Sequence, residues 1–127
     1  MNGAQESFGA LAAYRSVAAI DAAPEQLMKM AIEAAQRFLA EGEAAIAARD
    51  RPRKALALSA AGGVVEFMLG LSGSEPGPLS DRLARLYRFA LAAILRGNAA
   101  DDAEAVAAAG VAIEAIAALW RQRFPGA

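Results

Sequence analysis

The stretch that decides the fold is the first long apolar repeat, residues 24–49, which read PEQLMKMAIEAAQRFLAEGEAAIAAR. Its apolar residues alternate between spacings of three and four, at Met28, Ile32, Ala35, Leu39, Gly42 and Ile46. This spacing puts them on one side of an α-helix, which turns once every 3.6 residues or so. Pro24 suits the first helical position, where no backbone N–H is needed. The stretch therefore predicts a helix over residues 24–49 with one side buried.

Three further stretches repeat this pattern, and the sequence predicts helices over residues 52–71, 79–96 and 101–123. The second helix begins at Pro52, and its predicted buried side includes Leu56. A loop rich in glycine, serine and proline precedes the third helix. Gly97 is expected to close the third helix with a left-handed turn, and Asp101 or Asp102 is expected to cap the fourth.

Four amphipathic helices with short links predict an all-α protein, an antiparallel up-down four-helix bundle. We expect one domain over residues 1–127. Residues 1–20 are expected to be a short helix or arm packed on the bundle, because Phe8, Leu11, Tyr14 and Val17 recur at a spacing of three. Gly62 and Gly63 interrupt the second helix, and we expect either a closely packed neighbour or a functional kink there.

The composition excludes several classes of function. The chain has 127 residues, 57% of them hydrophobic, with no cysteine and no histidine. Disulfides, Cys/His zinc sites and catalytic devices that need either residue are therefore excluded. The net charge of −1 argues against a domain built to neutralise nucleic-acid phosphates. We also expect no signal peptide and no membrane insertion, because charges interrupt every long apolar run.

The charged residues give no catalytic pattern. The glutamates have no histidine partner, and most fall outside the apolar stripes, which is typical of solvated helix sides. Arg82, Arg85 and Arg88 lie three apart on one predicted helix. They form either a stripe that tracks phosphates or, as we expect, a solvated or salt-bridged side. We therefore predict no enzymatic activity, no catalytic residue, no metal and no cofactor.

The order and spacing of several short motifs resemble those of the flagellar secretion chaperone family, FliS. Ala13-Tyr14 precedes a helix start at Pro24 and Leu27, as in the family. Farther along, the family's later motif positions follow in order without gaps, at Leu86-Tyr87, Asn98, Asp102 and Trp120. The resemblance covers about residues 10–122. Ile32 stands where the family often has tyrosine, and Ala23 replaces the usual serine or threonine cap.

The resemblance implies a cytoplasmic export chaperone. It would bind the disordered C-terminal segment of flagellin, prevent premature polymerisation and keep it competent for type III secretion. The expected partner-binding residues are Tyr14, Leu27, Met28, Ile32, Tyr87 and Asn98. Leu86 and Trp120 are assigned to the core. A homodimer and contacts with other flagellar export components stay open, and the alternative function is a generic helical adaptor or homo-oligomerisation module.

Overall fold

The computed structural model describes residues 23–72 and 77–123. Within them the chain forms four α-helices, which are α1 (Pro24–Ala47), α2 (Arg51–Leu71), α3 (Pro78–Ala100) and α4 (Ala103–Arg123). Helix α1 packs against α2 and α4, and α3 packs against the same two helices. Short links make successive helices antiparallel, so the prediction of an all-α up-down four-helix bundle is confirmed. The proposed arm, residues 1–20, lies outside the described residues.

The core fills the space between all four helices. Its largest fully buried side chains are Tyr87, Met28, Leu58, Met68, Leu83, Ile113, Ile116, Val64, Val65 and Val106. Small residues such as Ala35 and Ala61 occupy much of the remaining core, which allows the helix backbones to approach closely. The expectation that Leu56 is buried is wrong, since 43% of this residue is exposed. Helix α2 instead buries Ala57 and Leu58.

Two aspartates cap the starts of α2 and α4. Asp50 precedes α2, and its Oδ1 accepts a hydrogen bond from the backbone N–H of Arg53 at 3.2 Å. Asp102 precedes α4 and accepts one from the N–H of Ala105 at 3.1 Å. Each carboxylate satisfies a backbone donor that a helix start would otherwise leave without a partner. Of the two candidates for capping the last helix, Asp102 is the cap.

The prediction that Gly97 ends the third helix is wrong. Helix α3 continues to Ala100, and the left-handed residue is Asp101, with φ of 52°. Gly97 is buried inside the helix, where a side chain would collide with Val106 of α4. The expected close neighbour at Gly62 is also absent, because no atom would lie within 4 Å of a Cβ added there.

Helices α2 and α4 are long and apolar enough, by length and composition alone, to cross a membrane. About half of each apolar window is buried inside the bundle. Core helices of a folded bundle pass the same test of length and composition, and packing in the core accounts for the buried half of these windows.

Candidate functional site

The candidate site is a cleft between the N-terminal half of α1 and the C-terminal half of α4. Its volume is about 260 Å³. The two helices contribute side chains in the order Glu25, Met28, Lys29, Ile32, Glu33 and Gln36 from α1, and Glu114, Ala117, Trp120 and Arg121 from α4. Clefts for cofactors and small molecules are typically larger, about 300–1,000 Å³. This cleft therefore suits a few apolar side chains of a partner better than a cofactor.

The floor of the cleft is apolar. Met28 and Ala117 are buried in the core, Trp120 is 6% exposed, and Ile32 is half-buried against the same core. Met28 and Ile32 share one side of α1 because they lie four residues apart, which is about one helical turn. An apolar side chain of a partner placed over this floor would lose contact with water. Each such side chain that is fully buried contributes about 1.5–3 kcal/mol to the free energy of binding.

The rim of the cleft carries both signs of charge. Glu25, Glu33 and Glu114 are acidic, whereas Lys29 and Arg121 are basic. At the end nearest the middle of the bundle, Gln36 Nε2 donates a hydrogen bond to Glu114 Oε1 at 2.6 Å. This bond joins α1 to α4. A helix laid in the cleft would meet an apolar strip between charged margins, which is the pattern of helix-in-groove recognition.

A row of hydrogen bonds fixes the aromatic part of the floor. The indole N–H of Trp120 donates to the hydroxyl of Tyr87 at 2.9 Å. That hydroxyl is also hydrogen-bonded to Ser72 Oγ at 2.9 Å, and Ser72 Oγ donates to the carbonyl of Met68 at 3.0 Å. Helix α3 and the end of α2 thereby hold the Trp120 ring in place. Tyr87 itself has no exposed surface.

The opposite end of the bundle is held by charged groups. Lys54 is only 6% exposed, and its Nζ donates to the carbonyl of Asn98 at 2.7 Å and to the carboxylate of Asp101. Arg51 lies 3.3 Å from the same carboxylate. The hydrogen bond from Lys54 holds the pKa of Asp101 below its ordinary value. These contacts join the start of α2 to the end of α3.

Two neighbouring ion pairs reinforce the surface around this end. Arg53 hydrogen-bonds Glu41, and this bond lowers the pKa of Glu41. Arg96 Nε donates to Asp102 at 3.0 Å. This bond, together with the backbone N–H of Ala105, lowers the pKa of Asp102. The three carboxyl groups whose pKa is lowered, Glu41, Asp101 and Asp102, are exposed or half-exposed. Each pairs with a basic residue near a helix end.

The structure brings together two of the six predicted partner-binding residues, Met28 and Ile32, in one cleft. Leu27 is buried on α1 and does not line the cleft, and Tyr87 lies in the core beneath it. Asn98 lies at the opposite end of the bundle, where its carbonyl accepts a hydrogen bond from Lys54. Lys54 lines a second pocket together with Ile46, which is fourteen residues, or about 21 Å of helix, from Ile32. Tyr14 lies outside the described residues.

Sequence reasoning missed most of the α4 side of the cleft. Trp120 was assigned to the core, which is confirmed by its 6% exposure, yet it also lines the cleft. Ala117 lies three residues earlier on the same apolar stripe of α4. Glu114 and Gln36 were not singled out together, because nothing in the sequence states which helices are neighbours. Among the described residues, no three carboxylates lie close enough together to hold a metal ion.

Two comparisons with known proteins cover most of the chain. The family model described as "Flagellar protein FliS" matches residues 7–126. A curated protein of Salmonella typhimurium (strain LT2), named "Flagellar secretion chaperone FliS", is 29% identical over 112 residues. The aligned part covers 87% of this chain and 83% of that protein.

Proposed function

The chain belongs to the FliS family of flagellar proteins, and on that premise we propose that it is a cytoplasmic export chaperone for flagellin. It binds the disordered C-terminal segment of flagellin and prevents premature polymerisation. It also keeps that segment competent for flagellar type III secretion. The family itself supports a role as a flagellar export chaperone with a flagellar protein as partner.

The observation that carries this proposal is the apolar cleft between α1 and α4. Its floor, with Met28, Ile32 and Trp120, offers an apolar strip to the apolar side of an amphipathic helix. The charged rim leaves the partner's polar side in water. A disordered segment that becomes helical on binding loses conformational entropy, which reduces its affinity for a given buried area. Such a complex is specific and can still be released at the export apparatus.

We also propose that the N-terminal segment, residues 1–22, acts at the same cleft. Glu25 lines the cleft in the first turn of α1, and residues 1–22 precede that turn in the sequence. We infer that Tyr14 contacts the partner at one end of the site. Without a partner, the apolar residues of this segment, Phe8, Leu11 and Val17, cover part of the apolar floor.

The test compares two isoleucines of the same helix. Ile32 and Ile46 are both half-buried against the core, but only Ile32 lines the cleft. Ile32→Ala and Ile46→Ala should therefore lower the free energy of unfolding by similar amounts, about 1–3 kcal/mol. Only Ile32→Ala should weaken binding of a flagellin C-terminal peptide, by about tenfold for 1.4 kcal/mol of lost contact. Calorimetric titration and urea unfolding measure the two quantities.

If Ile32→Ala and Ile46→Ala weakened peptide binding equally, the peptide would not bind in the cleft between α1 and α4. Absence of binding by the folded wild-type protein would favour the alternative, a helical adaptor or oligomerisation module with a different partner. Sedimentation of the wild-type chain with and without the peptide would also show whether a homodimer forms and whether the partner dissociates it.

A further inference from the structure

The outer side of α3 combines exposed apolar and basic residues in one strip. Five exposed residues follow spacings of three and four along it, namely Arg85, Arg88, Ala92, Leu95 and Ala99. Leu95 is 70% exposed, and Phe89, next to the strip, is 52% exposed. Residues at these spacings form a continuous line on a helix, as in the contact seam of two packed helices. Single exposed apolar residues are ordinary, but these two lie within two turns of each other on one helix.

The arginines of this side of α3 have no acidic partner within residues 23–72 and 77–123. Arg82, Arg85 and Arg88 are exposed, and none forms an ion pair with a carboxylate of the described residues. Arg96, near the end of the same helix, is different, since it pairs with Asp102. The sequence of α2 contains one acidic residue, Glu66, and no ion pair joins it to these arginines.

Helix α4, on the other flank, offers no acidic partner either. Glu104 lies in its first turn, at the other end of α3 from these arginines. Glu114 is hydrogen-bonded to Gln36 on the far side of α4. Asp81 lies four residues before Arg85 on α3 itself but forms no ion pair with it. Among the described residues the basic half of the strip therefore keeps an excess of positive charge, which attracts an acidic partner.

We propose that this strip of α3 is a docking surface for an acidic amphipathic helix of another protein. The small side chains of Ala92 and Ala99 let a second helix approach closely, while Leu95 and Phe89 supply the apolar contact. Carboxylates of the docked helix lie opposite Arg85 and Arg88. Complementary charge of this kind fixes orientation and raises the rate of association more than it raises affinity.

The arrangement favours a protein partner over a lipid or nucleic-acid surface. Recognition of anionic membranes typically needs a cluster of about four to eight basic residues, and this strip has fewer. The chain as a whole carries a net charge of −1, so an extended anionic surface would be repelled by the rest of the molecule. A narrow helix contacts only the strip and avoids that repulsion.

The strip is separate from the cleft. Helix α3 packs against α2 and α4 but not closely against α1, so its outer side faces away from the cleft formed by α1. A helix on α3 and a segment in the cleft can therefore be bound at the same time. The inference goes beyond the proposed function and holds whether or not flagellin is the occupant of the cleft.

The probe is a labelled synthetic helical peptide with leucine at the positions that face α3 and glutamate at the flanking positions. The control peptide has lysine in place of each glutamate. Fluorescence anisotropy at low salt should show that the full-length chain binds the glutamate peptide about tenfold more tightly. The preference should disappear at about 0.5 M NaCl, where charges are screened over a few ångströms. A saturating flagellin peptide should leave the binding unchanged.

Matched charge reversals locate the surface. Arg85→Glu with Arg88→Glu should weaken binding of the acidic peptide about tenfold, whereas Arg37→Glu with Arg49→Glu, which changes the net charge equally, should not. All four positions are exposed, so both proteins should melt like the wild type. If the first pair unfolds the protein, Arg88→Gln alone should still weaken binding more than Arg37→Gln.

Three results would overturn the proposal. One is equal binding of the two peptides, and another is equal weakening by the two pairs of reversals. The third is binding of phosphatidylserine vesicles that depends on Arg85 and Arg88 and is stronger than binding of the acidic peptide, which would make the strip a lipid surface.

Discussion

Replacing Gly97 with alanine tests how closely α3 and α4 approach. The added methyl group would lie 2.5 Å from Val106 Cγ2 and 3.3 Å from the backbone oxygen of Asp102. Val106 is fully buried, so its side chain has no free space to move into, and the two helices must separate. Overpacking of this kind typically lowers the free energy of unfolding by about 1–3 kcal/mol. The better helix propensity of alanine offsets about 1 kcal/mol of that loss.

The expected net effect of Gly97→Ala is a loss of up to about 2 kcal/mol in the free energy of unfolding. For a chain of this size that corresponds to a fall in melting temperature of roughly 4–8 °C. The same substitution at Gly62 is the matched control. Apart from the backbone of its own helix, nothing would lie within 4 Å of its new methyl group, so Gly62→Ala should stabilise the protein by up to about 1 kcal/mol.

A double-mutant cycle isolates the contact. Val106→Ala alone should cost about 2 kcal/mol, because it removes buried methyl groups and leaves a cavity. In that background Gly97→Ala fills part of the cavity and should stabilise the protein, giving a coupling energy of about 2–3 kcal/mol. Urea unfolding of the four proteins measures it. If Gly97→Ala costs the same with and without the Val106 side chain, the packing of Gly97 against Val106 does not set the cost and the argument is refuted.

Three further predictions concern the hydrogen bond between Tyr87 and Trp120, the carboxylate of Asp101, and the contrast between Tyr14 and Trp120. Tyr87→Phe should lower the free energy of unfolding by about 1–2 kcal/mol, because the buried indole N–H of Trp120 loses its acceptor; thermal melting measures it, and an unchanged melting temperature would contradict it. The pKa of Asp101 is lowered chiefly by the hydrogen bond from Lys54, so its contribution is present above its ordinary pKa of 3.8 and is lost as pH falls through the lower folded value. Asp101→Asn should therefore destabilise the protein at pH 7, and urea unfolding should show the difference from wild type shrinking below about pH 4. Tyr14→Ala should weaken flagellin binding without changing the melting temperature, whereas Trp120→Ala should cost about 3–5 kcal/mol of stability; a Tyr14→Ala protein that melts early and binds at full strength would reverse these roles.

The four helices could be predicted from their apolar residues and from the prolines at their starts, although the buried side of α2 could not. Their ends were less predictable. Gly97 is typical of a helix C-terminus when read locally, but its actual role depends on Val106, nine residues away on the next helix. Leu56 fell on a plausible stripe of α2, yet nearly every side of that helix is apolar and the stripe was ambiguous. Local patterns do not specify which helices become neighbours.

The candidate site was predictable only in part for the same reason. Met28 and Ile32 lie on the same apolar stripe of α1, and the resemblance to the FliS family points to that helix. The sequence therefore predicts both as residues of the site. Asn98 was grouped with them because motif positions do not distinguish a partner contact from a structural one. In the bundle its carbonyl accepts a hydrogen bond from Lys54, far from the cleft. Tyr87 belongs to the fold, since its hydroxyl holds Trp120.

Trp120 connects the stability of the bundle to the shape of the cleft. Its ring is part of the core and part of the floor, and its N–H is held by Tyr87. A floor fixed in this way needs little reordering when a segment binds, so the entropy loss falls on the disordered partner. A substitution of Trp120 would therefore change partner affinity in two ways at once, by removing a direct contact and by loosening the core that supports the cleft. Tyr87→Phe separates them, because it leaves every cleft-lining side chain in place and removes only the hydroxyl beneath the floor, with its hydrogen bonds to Trp120 and Ser72. If the cleft is preformed by those bonds, Tyr87→Phe should weaken partner binding although Tyr87 has no exposed surface; unchanged affinity would mean that packing alone holds the ring.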